Sequence, residues 1–265
     1  MRMIEAGYIL TDTELLLLST LTGSDRLLGF QYDHMMDFER DLQGIWNTTG
    51  SILEFKNFIY DGLNGSMAVD KQLMRHIEAV TKPEYCISAR FRANGTETSC
   101  YYYISAHGFA KLENNTTHPG EYILTPINSI KWLKHDIKEN MDFERKYENS
   151  RVFEIPLSTQ DMECLMDNNL DIDYLMKLDF IVNSGIDQEL LFDLSDAVRR
   201  RENMKTLMAF KIEQKILYYG GLLTYGGIRH LWRLDKDNTV AGLKFYLFSS
   251  DAFNQSLISL LSQIH

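Results

Sequence analysis

Apolar and polar positions follow a helical rhythm at the start of this chain. Thr11-Asp12-Thr13-Glu14 fits a capping box, in which the Thr hydroxyl and the Glu carboxylate satisfy backbone donors at a helix start. Leu15 to Leu18 follow and predict a helix buried on all sides. Residues 33–62 are helical in pattern but less regular, with Gly44, Gly50 and Gly62 as breaks. Leu73, Met74, Ile77 and Val80 form an amphipathic stripe, and Lys82-Pro83 ends that helix.

The period then changes to two. Tyr85, Ile87, Ala89 and Phe91 alternate with Cys86, Ser88, Arg90 and Arg92, which predicts a strand. Asn94-Gly95 is a favoured type I′ hairpin turn, because both residues tolerate positive φ. Further strands are expected over Ser99–Ser105, Phe109–Glu113 and Glu121–Thr125. Pro126 opens a helix with Ile130, Leu133 and Ile137 on one face. The charged residues of 138–152 serve either as a linker or as a solvated extension of that helix.

The second half repeats this order. Ser158-x-x-Asp161 resembles the cap at Thr11, and Ile155-Pro156-Leu157-Ser158 aligns with Tyr8-Ile9-Leu10-Thr11. Two helices follow, one with Ile172, Leu175 and Met176, the other with Leu190, Leu191, Leu194, Ala197 and Val198. Strands are expected at Leu207–Ile212, Ile216–Tyr219, Ile228–Leu234 and Leu243–Phe248, and a last helix carries Phe253, Leu257, Leu260, Leu261 and Ile264. The fold class is therefore α+β: an antiparallel sheet with flanking helices in two pseudo-twofold halves, 1–137 and 153–265, arising by duplication.

Composition narrows the function. Thirty-seven acids against 27 bases give a net charge of −10, which argues against a general nucleic-acid binder. Three cysteines without a CxxC pair disfavour a disulfide scaffold or a cysteine zinc site. The opening MRMIEAGYIL has no small-residue cleavage site, and no apolar run approaches about 18 residues. Six Asn-x-Ser/Thr matches, at Asn47, Asn64, Asn94, Asn114, Asn115 and Asn254, then mean only a chain rich in Asn and Thr. The expectation is a soluble cytoplasmic protein without membrane insertion.

Chemistry-bearing motifs are incomplete. The pairs Gly220-Gly221 and Gly226-Gly227 lack the Lys and hydroxyl residue of a phosphate loop and are expected to permit bends between strands. Asp33, His34 and Asp37 are expected to form a polar surface patch, and Asp171-Ile172-Asp173 to cap a helix. Cys164 is expected in the core, His107-Gly108 at a turn, and Arg199-Arg200-Arg201 at a helix C-terminus. Tyr101-Tyr102-Tyr103 is expected to pack both faces of a sheet. No catalytic residue, metal or cofactor is expected.

Leu10-Thr11-Asp12-Thr13-Glu14 with its leucine run, followed by Asp25-Arg26-Leu27-Leu28-Gly29, resembles the N-terminus of EspG-type chaperones of type VII (ESX) secretion. Val69 to Met74, Ile77 and Lys82-Pro83-Glu84-Tyr85 look like that family's helix ending at a proline before the first strand. Trp232, Gly242 and Ser249 to Leu261 resemble its last strands and closing helix. The short strands and the Asn, Ile and Lys content look like a Firmicutes-type relative. The resemblance implies a cytoplasmic, non-catalytic adaptor that keeps a helical-hairpin secretion substrate (WXG/LXG-type or similar) soluble. It implies docking on the helical part of the second half and a hairpin loop of the first. Within these, Arg92, Asn94, Gly95 and Thr96, and Leu175, Leu178 and Phe180 on the helix after Asp173, are the candidate contacts. An immunity protein that neutralises a toxin domain, and an enzyme with a dispersed site, remain as alternatives.

Overall fold

The computed structural model describes residues 7–24, 27–29, 42–61, 67–93, 96–143, 146–148, 153–237 and 242–264. In the first half the order is β1 (Tyr8–Thr11), α1 (Asp12–Thr20), α2 (Leu42–Phe55), β2 (Ile59–Asp61), β3 (Met67–Val69), α3 (Lys71–Thr81), β4 (Tyr85–Ala93), β5 (Thr96–Ser105), β6 (Gly108–Asn114), β7 (Glu121–Ile127) and α4 (Ile130–Met141). The second half runs β8 (Glu154–Leu157), α5 (Thr159–Met166), α6 (Ile172–Leu175), α7 (Asp179–Ser184), α8 (Gln188–Arg200), β9 (Asn203–Ile212), β10 (Ile216–Gly226), β11 (Leu231–Asp237), β12 (Gly242–Phe248) and α9 (Ser250–Ser262). The fold is α+β. Ten strands form one sheet in the order β1-β7-β6-β5-β4-β9-β10-β11-β12-β8, and β2 and β3 pair separately.

The chain divides into two compact units. One comprises Met1–Ser88, Thr98–Asp136 and Ala209–Tyr219; the other comprises Ala89–Glu97, Ile137–Met208 and Gly220–His265. In the first, Leu15, Leu17 and Leu18 of α1 join Leu73, Ile77 and Val80 of α3 beneath Tyr103, Leu112 and Leu124 of the strands. In the second, Leu165, Leu175, Leu191 and Leu194 of the helices pack with Trp232 and Phe245 of the strands.

Both predicted capping boxes form. Glu14 N–H donates to Thr11 Oγ1 at 3.2 Å and Thr11 N–H to Glu14 Oε2 at 2.7 Å; Asp161 N–H donates to Ser158 Oγ at 3.2 Å and Ser158 N–H to Asp161 Oδ2 at 2.7 Å. The segments before them, compared in the sequence but not expected as strands, are β1 and β8. Each pairs antiparallel with the last strand of its half, Leu10 opposite Tyr122 and Ile155 opposite Phe245.

Several expectations are corrected. Residues 33–41 lie outside the described residues; from Leu42 to Phe55 the chain is one helix that runs through Gly44 and Gly50. It ends where Asn57 takes a left-handed φ of 59°, after which Ile59 enters β2; Gly62 lies outside the described residues. Pro126 lies in β7 opposite Ala110, and the following helix starts at Ile130, preceded by Ser129, whose Oγ accepts Trp132 N–H at 3.3 Å. The Ile228–Leu234 strand begins only at Leu231, because Gly227 N–H closes a turn onto His230 O at 2.8 Å. Beyond Met141 the charged segment is anchored: Tyr147 is buried and exchanges hydrogen bonds with Ser250, its N–H to Oγ at 2.9 Å and Ser250 N–H to its carbonyl at 3.0 Å.

Candidate functional site

The hairpin chosen in the sequence joins β4 to β5. Asn94 and Gly95 lie outside the described residues. Thr96 is exposed, whereas Arg92 is half-buried rather than open. The exposed charges beside it, Arg90 and Glu97, pair at 3.4 Å.

Leu175, Leu178 and Phe180 do not share one helix. Asp171 caps α6 by accepting Tyr174 N–H at 2.7 Å, the chain turns after Leu175, and Leu178 is the residue before α7. Leu175 has no exposure, and Leu178 and Phe180 are half-buried against the same core. The outward apolar side chains of these helices are Tyr174 (50% exposed), Val182 (60%) and Phe192 (51%). Phe192 was visible in the sequence, since it falls out of phase with the stripe of Leu190, Leu191 and Leu194.

A second apolar surface was missed. Ile216, Leu217, Tyr218 and Tyr219 are four consecutive large side chains, all exposed. Such a run reads as a strand buried on both faces. Among the described residues β10 pairs with β11 from Thr224 to Gly226, and Ile216 to Tyr219 lie beyond that paired stretch. Tyr219 sets its ring edge-on to Tyr85 at 6.2 Å, and Tyr218 to Phe210 at 6.1 Å. Gly220 and Gly221 lie inside this strand, not between strands. At Gly220 a Cβ would stand 2.8 Å from Leu260 of α9, so close helix approach explains the residue.

At the end of β10, Asp193 of α8 is buried and receives three donors: Arg229 N–H at 2.8 Å, His230 N–H at 3.3 Å and Trp232 Nε1–H at 3.0 Å. His230 Nδ1 is 3.4 Å from the same carboxylate without forming a bond. A Cβ on Gly227 would meet Asp193 Oδ2 at 2.4 Å, so only glycine lets the turn close on this acid. Asp193 thereby fastens a helix to a turn.

The remaining reactive side chains hold structure. Burial pushes the Cys86 thiol up, and pushes Cys100 up to about 12. Cys164 is half-buried. Ser105 Oγ accepts His107 N–H at 3.0 Å within the expected turn. Arg199 donates to the carbonyls of Leu165 at 3.0 Å and Leu170 at 2.8 Å, tying α8 to the segment after α5. Tyr102 and Tyr103 are buried on opposite faces, hydrogen-bonded to Asp136 and to the Leu28 carbonyl. Asp33, His34 and Asp37 lie outside the described residues. Among the described residues no helix is long and apolar enough to cross a membrane.

No family model matches the chain, and no curated protein matches it. Among solved structures it is similar to the Mycobacterium tuberculosis type VII secretion chaperone EspG5, solved in complex with the PE25–PPE41 dimer. The likeness has a TM-score of 0.67 and covers 96% of this chain and 95% of that one, at 8% identity. The fold is that of EspG5. The Firmicutes-type relation expected from composition gains no support from this mycobacterial likeness, which concerns fold alone.

Proposed function

We propose that this chain is a cytoplasmic chaperone or adaptor that binds a helical secretion substrate and keeps it soluble, and that it is not an enzyme. The observation that carries the reading is the end-to-end likeness to EspG5, which leaves neither protein with a large unmatched portion. The apolar side chains on the surface support it. Tyr174, Val182 and Phe192 on the helices, and Ile216 to Tyr219 on β10, offer the contacts that the apolar face of an amphipathic helix needs. The exposed Thr96 of the β4–β5 hairpin is a further proposed contact, whereas Leu175 belongs to the core and Leu178 and Phe180 pack against it.

The test is capture from the native cell with a tagged chain, followed by identification of the retained protein. A helical protein destined for secretion supports the reading; a toxin domain replaces it with the immunity reading. The surface is tested with Val182→Asp and Phe192→Asp. Capture should fall at least about tenfold with the melting temperature retained, since losing one buried apolar anchor is worth more than about 1.4 kcal/mol. Leu178→Asp and Phe180→Asp should lower the melting temperature as well, because both side chains pack on the core.

A further inference from the structure

A cavity of about 160 Å³ opens between β6, β7 and α4, entirely within the first unit. It is lined by Lys111 and Glu113 of β6 and by Trp132 and Asp136 of α4, with Pro126 and Ile127 of β7 as apolar lining. Trp132 and Asp136 are four residues apart, so they share a helix face one turn from each other.

The charges are layered. Lys111 Nζ reaches Glu113 at 2.9 Å and Asp136 at 3.4 Å, and its side chain is only 13% exposed. Glu113 and Asp136 are more open, at 24% and 36%. One cation thus lies beneath two carboxylates that are more open to solvent than it is. Tyr102 Oη–H donates to Asp136 at 2.8 Å and fixes that carboxylate in place. Trp132, 53% exposed, sets an indole beside the carboxylates.

We propose that this cavity receives an arginine side chain of a partner protein. A planar guanidinium stacks on an indole face and pairs with a carboxylate at the same time, while its methylene stem fits an apolar rim. A guanidinium meets the two carboxylates with opposite charge, which a neutral or anionic group does not. The net charge of −10 draws basic segments toward the chain in general; the cavity gives one of them a defined seat. This inference rests on the first unit's own residues and is independent of the chaperone reading.

The experiment uses the full chain with ¹⁵N-labelled tryptophan. The chain has three tryptophans, so Trp46 and Trp232 serve as internal references. Trp132→Phe assigns the Trp132 indole signal. The probe is a blocked Gly-Arg-Gly tripeptide, with the citrulline tripeptide as its neutral, near-isosteric control. The Trp132 signal should move with the arginine peptide, and the citrulline peptide should bind about tenfold more weakly or not at all. Asp136→Asn keeps an acceptor for Tyr102 and should weaken the arginine peptide to the same degree. Glu113→Gln provides a second variant if the first perturbs the fold. An unmoved Trp132 signal, equal shifts with both peptides, or full binding by folded Asp136→Asn and Glu113→Gln overturns the proposal.

Discussion

The strands at the two ends of the sheet, β1 and β8, have the same length and the same capping box behind them, yet their outer edges are closed by different means. Alternate residues of an antiparallel strand turn their backbone groups toward and away from the partner. Asp12 N–H donates to Gly120 O at 3.1 Å, so Ile9 and Thr11 face outward on β1. Leu247 N–H donates to Phe153 O at 3.2 Å, so Glu154, Pro156 and Ser158 face outward at β8. On β1 two of the outward groups are occupied: Thr11 N–H by Glu14 Oε2, and the Ile9 carbonyl by Lys56 Nζ at 3.2 Å. Glu14 and Lys56 pair at 2.7 Å, with the carboxylate only 1% exposed. At β8 the outward position that corresponds to Ile9 is Pro156, which has no N–H to offer, and the Ser158 N–H is taken by Asp161 near the surface. One edge is stoppered by a half-buried ion pair and the other by a residue type. This difference teaches that equivalent topology need not be held with equivalent energy.

Breaking the ion-pair edge should cost most. Glu14→Ala removes the acceptor of Thr11 N–H and leaves Lys56 with only the Ile9 carbonyl; a loss of about 3 kcal/mol is expected from urea denaturation. Lys56→Met should cost somewhat less, about 2 kcal/mol, because Thr11 N–H still supports the remaining buried carboxylate. The equivalent change at the other end, Asp161→Ala, should cost only about 1 kcal/mol, since that cap is solvated. A loss there as large as for Glu14→Ala would erase the contrast. Pro156→Val should leave stability within about 0.5 kcal/mol but restores an outward N–H. Sedimentation should then show association that grows with concentration; a strictly unchanged profile would mean that the proline does not guard this edge.

The sequence made the local half of this comparison legible. Both capping boxes could be read because donor and acceptor lie three residues apart, and the strands from Tyr85 onward could be read from strict alternation. The guard on β1 could not, since Lys56 stands 42 residues from Glu14. The role of Pro156 depends on which residues of β8 face β12, a matter of register rather than residue type. The same limit affected the candidate surface. Leu175, Leu178 and Phe180 were placed on one helix because no proline or glycine marks the break after Leu175. Ile216 to Tyr219 could be read as a strand, but nothing in a run of four apolar residues tells which of them stay exposed. The shared element order of the halves was readable, and the pairing of β1 with β7 and of β8 with β12 extends it.

The carboxylate of Asp193 has a consequence for how the second unit opens. Amides at an exposed turn ordinarily trade their protons for solvent deuterium quickly, through small local fraying. Those of Arg229 and His230 are held by an acid rooted in the middle of α8, as is the indole of Trp232. Freeing either amide requires Asp193 to withdraw, and Asp193 withdraws only when α8 lifts. The turn and the helix therefore form one cooperative block, and these two surface amides should exchange as slowly as the interior of the helix that guards them.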